Sequence, residues 1–160
     1  MDGSEKTALR WFLQSQRDSV LAIVEGLDEA ALRTTVLPSG WTPLGLIEHL
    51  GLAERHWFQE VAVGSAAPLP WGDEDPPLTT SRSPEQVFAF YREQCALSDA
   101  FLTATPLSTP PIGRHGDWLD DETTDIRRIV LHMIEETARH AGHLDIVREL
   151  IDGRTGLGPR

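Results

Sequence analysis

Four side chains near the C-terminal end of the chain have the types and spacing of metal ligands. His132, Glu136 and His140 follow one another at four-residue steps, and His143 comes three residues later. In a helix, residues three or four positions apart lie above one another on one face. Imidazole and carboxylate groups in this arrangement are suitable ligands for a divalent transition metal. The spacing therefore predicts a helix that carries a strip of candidate ligands.

The apolar pattern of the same segment indicates which way this strip faces. Residues at helical spacing form a largely apolar stripe, made of Ile126, Ile129, Met133, Thr137, Leu144, Val147 and Ile151. His140 falls close to the centre of this stripe, with Glu136 beside it and His132 and His143 at its margins. A carboxylate is costly to bury unless it is paired or bound to a metal. The residues alone leave two readings open: a carboxylate paired with Arg or His inside a bundle, or a metal centre.

A third ligand is available on an earlier amphipathic segment, where His49 lies at the edge of the apolar face. His56 and Glu60, four residues apart on its more solvated flank, form a rival pair that we interpret as ordinary helix surface. We expect His115 to be isolated, solvated and without function. Cys95 lies within the apolar stripe of another helix, which favours a packing role over a nucleophilic one.

Four long amphipathic segments are expected to position these residues. Helices are predicted over residues 4–27, 43–63, 84–104 and 124–152, and no segment shows the alternation typical of a strand. Thr42 before Pro43 and Ser83 before Pro84 mark two helix starts, and Gln86 completes a capping box with Ser83. The pattern predicts an all-α four-helix bundle in which residues 1–160 form a single domain.

A proline-rich stretch separates the second and third predicted helices. Residues 64–83 combine prolines, acidic residues and few apolar side chains, so they do not form a regular element. A long irregular segment in a small domain is typical of a crossover or of a loop over a site. Trp71, within it, is expected either to cover a pocket or to anchor the loop.

Composition narrows the class of function. The formal net charge is −11, which argues against binding to nucleic acids or anionic membranes. The hydrophobic fraction of 40% allows a real core, and one cysteine allows no internal disulfide. The N-terminus lacks a basic region followed by an apolar run, and no uninterrupted apolar stretch reaches the length of a membrane span. We therefore expect a soluble cytoplasmic protein, and small-molecule chemistry remains open to it.

Two motifs resemble those of a known family. Thr42-Pro-Leu-Gly-Leu-Ile-Glu-His-Leu50, followed by Glu54 and Trp57-Phe58, and the distal motif His132-Met-Ile-Glu-Glu-Thr-Ala-Arg-His-Ala-Gly-His143 carry the likeness. The chain resembles the DinB-like superfamily of metal-dependent four-helix bundles. It is most similar to the actinobacterial branch that includes mycothiol-dependent S-transferases and is related to mycothiol-dependent maleylpyruvate isomerase. The likeness covers essentially the whole chain.

The resemblance implies a set of site residues. In that superfamily one metal ligand comes from the second helix and two, four residues apart, come from the fourth, which correspond here to His49, Glu136 and His140. It further implies second-shell or substrate-binding positions near this centre, namely His143, His132, Glu54, Trp57 and Arg139. A long crossover between the second and third helices and frequent homodimers are also implied.

The ligand set and the resemblance together lead to a hypothesis about function. Two imidazoles and one carboxylate leave open positions on a divalent metal, for which Zn²⁺ is the first choice and Ni²⁺, Mn²⁺ or Fe²⁺ also fit. The leading hypothesis is a thiol S-transferase that activates a low-molecular-weight thiol, mycothiol by resemblance, for attack on a small electrophile. The alternatives are metal-assisted hydrolysis or isomerisation, a non-catalytic metal-binding or sensing bundle, and a metal-free binding module.

Overall fold

The computed structural model describes residues 2–67, 69 and 77–156, and its fold is all-α. No strand occurs among the described residues. Within the same residues, no helix combines the length and the apolarity needed to cross a membrane. The helical elements are α1 (Asp2–Val24), α2 (Glu29–Leu32), α3 (Pro43–Arg55), a π-helical segment (His56–Val61), α4 (Pro84–Ala104), α5 (Leu119–Glu122) and α6 (Ile126–Asp152).

Side-chain caps fix the starts of the long helices that follow loops. The Thr42 hydroxyl accepts a hydrogen bond from the Gly45 N–H, and Pro43 occupies the first turn of α3. The predicted capping box is present at α4, where Ser83 and Gln86 each bind the other's backbone N–H. Caps of this kind satisfy N–H groups that the first helical turn leaves without partners. The sequence signals for these two starts are therefore confirmed.

Two of the helix boundaries that differ from the predicted ones do so for local reasons. Helix α1 ends at Val24 rather than at residue 27, and Gly26 follows with a φ of 78° in the left-handed region. Helix α6 begins at Ile126 rather than at residue 124, because the Asp125 side chain caps it by accepting from the Arg128 N–H. The short helices α2 and α5 add turns between the long elements.

The second predicted helix is divided in two. Residues 43–63 were expected to form one α-helix, but the chain widens into a π-helical segment after Arg55. Its ladder includes a hydrogen bond from the Ala62 N–H to the Trp57 carbonyl five residues earlier, at 3.0 Å. The wider turn still buries Trp57, Phe58 and Val61. Such segments are rare and occur often at functional sites.

The long helices pack in pairs around two apolar clusters. Helix α1 packs along α6, α3 packs along α4, and α3 also contacts α6. One cluster joins the C-terminal part of α1 to α3 and α4, with Val20, Leu44, Ile47 and Tyr91 among its members. The other joins the π-helical segment to the first half of α6. The groove between α3 and α6 therefore lies over a well-packed core.

A buried ion pair ties three helices together. The Arg17 guanidinium of α1 donates to both carboxylate oxygens of Glu54 in α3, at 2.7 and 2.8 Å, and to Asp99 in α4 at 2.9 Å. Arg17 and Glu54 are 1% and 0% exposed, so the pair is shielded from water. Burial and the nearby Glu54 carboxylate raise the pKa of Cys95 to about 12. A thiol with so high a pKa is a poor nucleophile, which supports the predicted packing role of Cys95.

Two loop segments dock against the α3 region through backbone contacts. The Thr42 N–H binds the Leu78 carbonyl, and the Gly113 N–H binds the Val61 carbonyl at 2.8 Å. A Cβ atom at Gly113 would overlap the Glu60 carbonyl oxygen, so this approach requires glycine. Trp71, which was expected to cover a pocket or anchor its loop, lies outside the described residues.

Candidate metal centre

Helix α6 places three of the candidate residues along one side. Its 27 residues run without interruption from Ile126 to Asp152, so His132, Glu136 and His140 keep their helical register. Met133, Thr137, Ala141 and Leu144 of the same helix are buried, and their packing fixes how α6 lies against its neighbours. The register and the packing together turn Glu136 and His140 toward α3.

His49 of α3 meets this pair across the groove. Its Nε2 atom lies 3.2 Å from Glu136 Oε1, and His140 Nε2 lies 2.9 Å from the same oxygen. The imidazole rings of His49 and His140 are 4.9 Å apart in an edge-on arrangement. One carboxylate oxygen therefore stands between two imidazole nitrogens that come from different helices.

The electrostatics of this group favour an ionised carboxylate. Hydrogen bonds from His140 and His49 hold the pKa of Glu136 well below its usual range, against the opposing effect of burial. The side chains of His49 and Glu136 are each 23% exposed, and that of His140 is 14% exposed. The group is therefore shielded by the fold but still reachable by a small molecule.

The donor set fits a divalent metal ion. One ligand atom from each of His49, Glu136 and His140 lies within 4.8 Å of the other two, and this is the one such group found among the described residues. Metal–nitrogen and metal–oxygen bonds of about 2.0–2.2 Å bring donor atoms to about 3 Å from one another, close to the two separations given above. Three protein ligands leave further coordination positions for water or substrate. This arrangement is typical of catalytic centres.

His143 contacts the group from the solvent side. Its Nδ1 atom lies 3.3 Å from Nδ1 of His140, and its ring centroid is 6.3 Å from that of Trp41. Burial and the neighbouring His140 lower the pKa of His143, which favours its neutral form. A neutral imidazole at this position can form a hydrogen bond with Nδ1 of His140, the nitrogen that faces away from Glu136.

His132 and Trp57 flank the group on the other side. Their ring centroids are 4.4 Å apart, and Trp57 is 5% exposed. Burial lowers the pKa of His132 despite the opposing charge of Glu136 one helical turn away. The half-buried imidazole of His132, beside the buried indole of Trp57, therefore lies next to the candidate ligand Glu136 on α6.

Glu54 and Arg139, the remaining two candidates, have partners of their own. Both carboxylate oxygens of Glu54 are bound by the buried guanidinium of Arg17. Arg139 is exposed and lies 3.5 Å from Glu135 on the surface of α6. The contacts of Glu54 indicate a structural role in the core, and those of Arg139 indicate a surface ion pair.

The rival pair belongs to a longer chain of side chains. His56 Nδ1 lies 2.6 Å from Glu60 Oε2, and its Nε2 lies 2.8 Å from Nδ1 of His115. His115 also stacks on Trp57 with ring centroids 4.8 Å apart. The expectation that His115 is isolated is therefore wrong. No local pattern could indicate this contact, because His56 and His115 are 59 positions apart and His115 lies in a loop.

The two nitrogens of His56 point to different partners, Glu60 and His115. The side chains of His56, Glu60 and His115 therefore do not converge on one point as those of His49, Glu136 and His140 do. Hydrogen bonding between carboxylate and imidazoles accounts for their arrangement.

Comparison with known proteins identifies the family. A family model described as Mycothiol-S-transferase matches residues 8–153, which includes all the helices from α2 to α6 and most of α1. No curated protein matches the chain significantly. The matched region contains each of the three candidate metal ligands and the histidines around them. The chain belongs to the mycothiol-S-transferase family.

Proposed function

We propose that this protein is a metal-dependent S-transferase that joins a low-molecular-weight thiol, mycothiol in the first instance, to a small electrophile. The single observation that carries the proposal is the convergence of His49, Glu136 and His140 within a fold of the mycothiol-S-transferase family. The family supports the thiol, and the ligand set supports the metal.

Zinc is the proposed metal, because two neutral imidazoles and one carboxylate suit a four-coordinate Zn²⁺ with an open position. Ni²⁺, Mn²⁺ and Fe²⁺ also accept this donor set. A bound divalent ion supplies positive charge that lowers the pKa of a thiol coordinated to it, from an ordinary value of about 8.5. With such an ion bound, a thiol beside it would lose its proton to solvent at neutral pH.

The protein side chains hold the reacting groups in place. Without the metal, the ionised Glu136 accepts hydrogen bonds from both imidazoles, which would hold His49 and His140 in position for ligation. The sulfur lone pair attacks the electrophilic carbon, the C–S bond forms, and the leaving group departs with its bonding electrons. His132 and Trp57, whose rings are 4.4 Å apart, stand one helical turn from Glu136 and would limit the access of water from that side.

We further infer that α1, α3, α4 and α6 form a four-helix bundle. The inference is supported by the pairing of α1 with α6 and of α3 with α4, and by the contact between α3 and α6. The segment between the π-helical turns and α4, residues 64–83, would then be the long crossover. In this arrangement the ligands come from the two helices that face each other across the bundle.

A conjugation assay tests the proposed activity. Zinc-loaded protein is incubated with 1-chloro-2,4-dinitrobenzene and mycothiol, with bacillithiol and glutathione as alternative thiols. We expect conjugate to form fastest with mycothiol. Glu136→Gln is expected to lower metal affinity and rate by more than about 100-fold, beyond the loss typical of second-shell changes. Glu149→Gln, a matched change at an exposed carboxylate of α6, should leave both unchanged.

Two results would count against the proposal. If the metal-loaded protein is inactive with every thiol, the proposal that it is a transferase is wrong. Turnover of a substrate without added thiol would instead favour metal-assisted hydrolysis or isomerisation, in which water is the reagent.

A further inference from the structure

The loop that joins α4 to α5, residues 105–118, is attached to the π-helical segment through its backbone. The Gly113 N–H binds the Val61 carbonyl at 2.8 Å, and the Ile112 N–H binds the Ala62 carbonyl at 3.2 Å. A backbone N–H exchanges with solvent when its hydrogen bond opens. These two amides therefore report whether the loop lies against the segment.

The imidazole of His115 covers a buried tryptophan beside this attachment. Its ring stacks on that of Trp57, with centroids 4.8 Å apart and planes inclined by 19°. Its Nδ1 atom lies 2.8 Å from Nε2 of His56, the residue before Trp57. Trp57 is only 5% exposed, whereas the side chains of His56 and His115 are 30% and 31% exposed. Protons from solvent can therefore reach both imidazoles while the indole stays covered.

The hydrogen bond between the two imidazoles depends on how many protons they carry. Glu60 Oε2 lies 2.6 Å from Nδ1 of His56, so this nitrogen donates to the carboxylate and Nε2 of His56 accepts from Nδ1 of His115. Nε2 of His115, which lies 3.4 Å from Asp117 Oδ2, can take up one added proton without breaking this bond. A second added proton places a hydrogen on every ring nitrogen. The two facing nitrogens then no longer form a hydrogen bond.

Charged and titratable groups from several elements face the pair. Among the described residues they are Arg55 of α3, Glu60 of the π-helical segment, Arg114 and Asp117 of the loop, Asp120 of α5 and His132 of α6. The three carboxylates favour protonation of the imidazoles, and the two guanidiniums oppose it. Burial lowers the pKa of His132, so this residue adds little charge near neutral pH. The main obstacle to the second proton is therefore the other imidazole of the pair.

We propose that His56 and His115 form an acid-sensitive latch, which holds the loop over Trp57 and releases it when both imidazoles are protonated. Histidine is the side chain whose charge ordinarily changes between about pH 5 and about pH 8. On release the two like-charged rings move apart, and His115 leaves the face of Trp57, which becomes open to solvent. The latch does not depend on the proposed transferase function, because neither histidine is a candidate metal ligand.

Hydrogen exchange of the loop amides tests the latch. Protection factors of the Ile112 and Gly113 N–H groups are measured by NMR at about pH 8 and about pH 5.5, on the full chain without added metal. We expect protection to fall by at least about 10-fold at the lower pH, which is the effect of losing one typical hydrogen bond. Amides of α4 should stay protected, because the opening is local.

Fluorine NMR follows the tryptophan itself. In protein labelled with 5-fluorotryptophan, the signal of Trp57 is the one that disappears in Trp57→Phe. We expect this signal to move over the same pH range in which the loop amides lose protection, because the ring stacked on the indole leaves it.

His115→Gln is the principal variant, since glutamine keeps a polar side chain that gains no charge. Its loop protection should be the same at both pH values. His143→Gln is the matched control, because it removes an exposed histidine that is not part of the pair. It should keep the pH dependence of the unaltered protein.

Glu60→Gln tests the latch with both histidines present. The amide oxygen can still accept a hydrogen bond from Nδ1 of His56, but the negative charge that favours protonation is gone. The loss of protection should therefore occur at a lower pH than in the unaltered protein.

Several results would overturn the proposal. They are equal protection at both pH values in the unaltered protein, the same fall in His115→Gln, no fall in His143→Gln, and a fall at an unchanged or higher pH in Glu60→Gln. A fall that extends through α4 would also overturn it, because acid would then be unfolding the chain rather than opening the loop.

Discussion

The nitrogens of His140 show how one residue can serve both the protein and a metal. Its Nε2 faces Glu136 and its Nδ1 faces Nδ1 of His143. Ligation through Nε2 requires the ring proton to be on Nδ1, from which it can be donated to His143. This is the usual way in which an outer residue fixes the tautomer of a metal-binding histidine. We therefore propose that His143 positions the ring of His140.

The reactivity of Cys95 gives a prediction at the level of one side chain. Burial and Glu54 raise its pKa to about 12, so its thiolate is scarce at pH 8. We expect iodoacetamide to alkylate it at least about 100-fold more slowly in the folded protein than in urea, because the thiolate is the nucleophile. Mass spectrometry of the labelled protein measures this ratio.

The raised pKa of Cys95 also gives the direction in which stability changes with pH. A thiol whose pKa is raised on folding contributes stability that is complete below its ordinary pKa and is lost as the pH rises through about 12. Equal labelling rates in the folded and unfolded states at pH 8 would show that Cys95 is not held in the core.

The triple contact of Arg17, Glu54 and Asp99 gives a prediction at the level of helix packing. Arg17→Met leaves the Glu54 carboxylate buried without its partner, which costs about 3–5 kcal/mol. For a chain of this size we expect the melting temperature to fall by about 10 °C, measured by circular dichroism.

A double variant separates the cost of an unpaired buried charge from the cost of lost packing. Arg17→Met combined with Glu54→Leu removes both buried charges and should recover much of the stability. Arg92→Met, at an exposed position of α4, should change the melting temperature little. A double variant no more stable than Arg17→Met alone would show that the ion pair is not what links these helices.

The helix starts could be read from the sequence, whereas the tertiary pairings could not. Thr42, Pro43, Ser83 and Gln86 act within a few residues of their own position, so local patterns are sufficient to identify them. The π-helical segment was missed because the apolar spacing of residues 56–61 is compatible with either helix type. A change of hydrogen-bond partner by one residue leaves no mark in the sequence.

In the candidate site, too, local contacts could be predicted from the sequence and tertiary contacts could not. Glu136 and His140 are linked by helical spacing alone, and the apolar face of α3 indicated His49 as their partner. The bond between His56 and His115 and the pairing of Arg17 with Glu54 join distant positions. Their identification required the packed structure, because many surface residues of suitable charge compete for each partner.

At the scale of the whole molecule, the candidate metal centre links two helices that are far apart in sequence. His49 and Glu136 are 87 positions apart. A metal that binds only the folded arrangement stabilises it by mass action, by about 2.7 kcal/mol at 100 times its dissociation constant. We expect Zn²⁺ at this excess to raise the melting temperature by about 5–10 °C, measured by differential scanning fluorimetry.

The control must separate specific binding from general attraction. The net charge of −11 attracts cations of any kind, so Mg²⁺ at the same ionic strength provides the baseline. EDTA should reverse the effect of Zn²⁺, and Glu136→Gln should abolish it. Stabilisation by Mg²⁺ equal to that by Zn²⁺ would mean that the three ligands do not form a selective site.

The widened backbone between residues 56 and 61 has a consequence for how this family can vary. Its extra length relative to an ordinary α-helical turn makes it equivalent to a single inserted amino acid. A variant shortened by one residue there could resume a regular helix, and everything downstream would rotate by about 100° about the axis. Trp57 would then lose its place between His115 and His132, while His49, which precedes the insertion, would keep its own. Insertions and deletions here would therefore change the surroundings of Trp57 and leave His49 in its place.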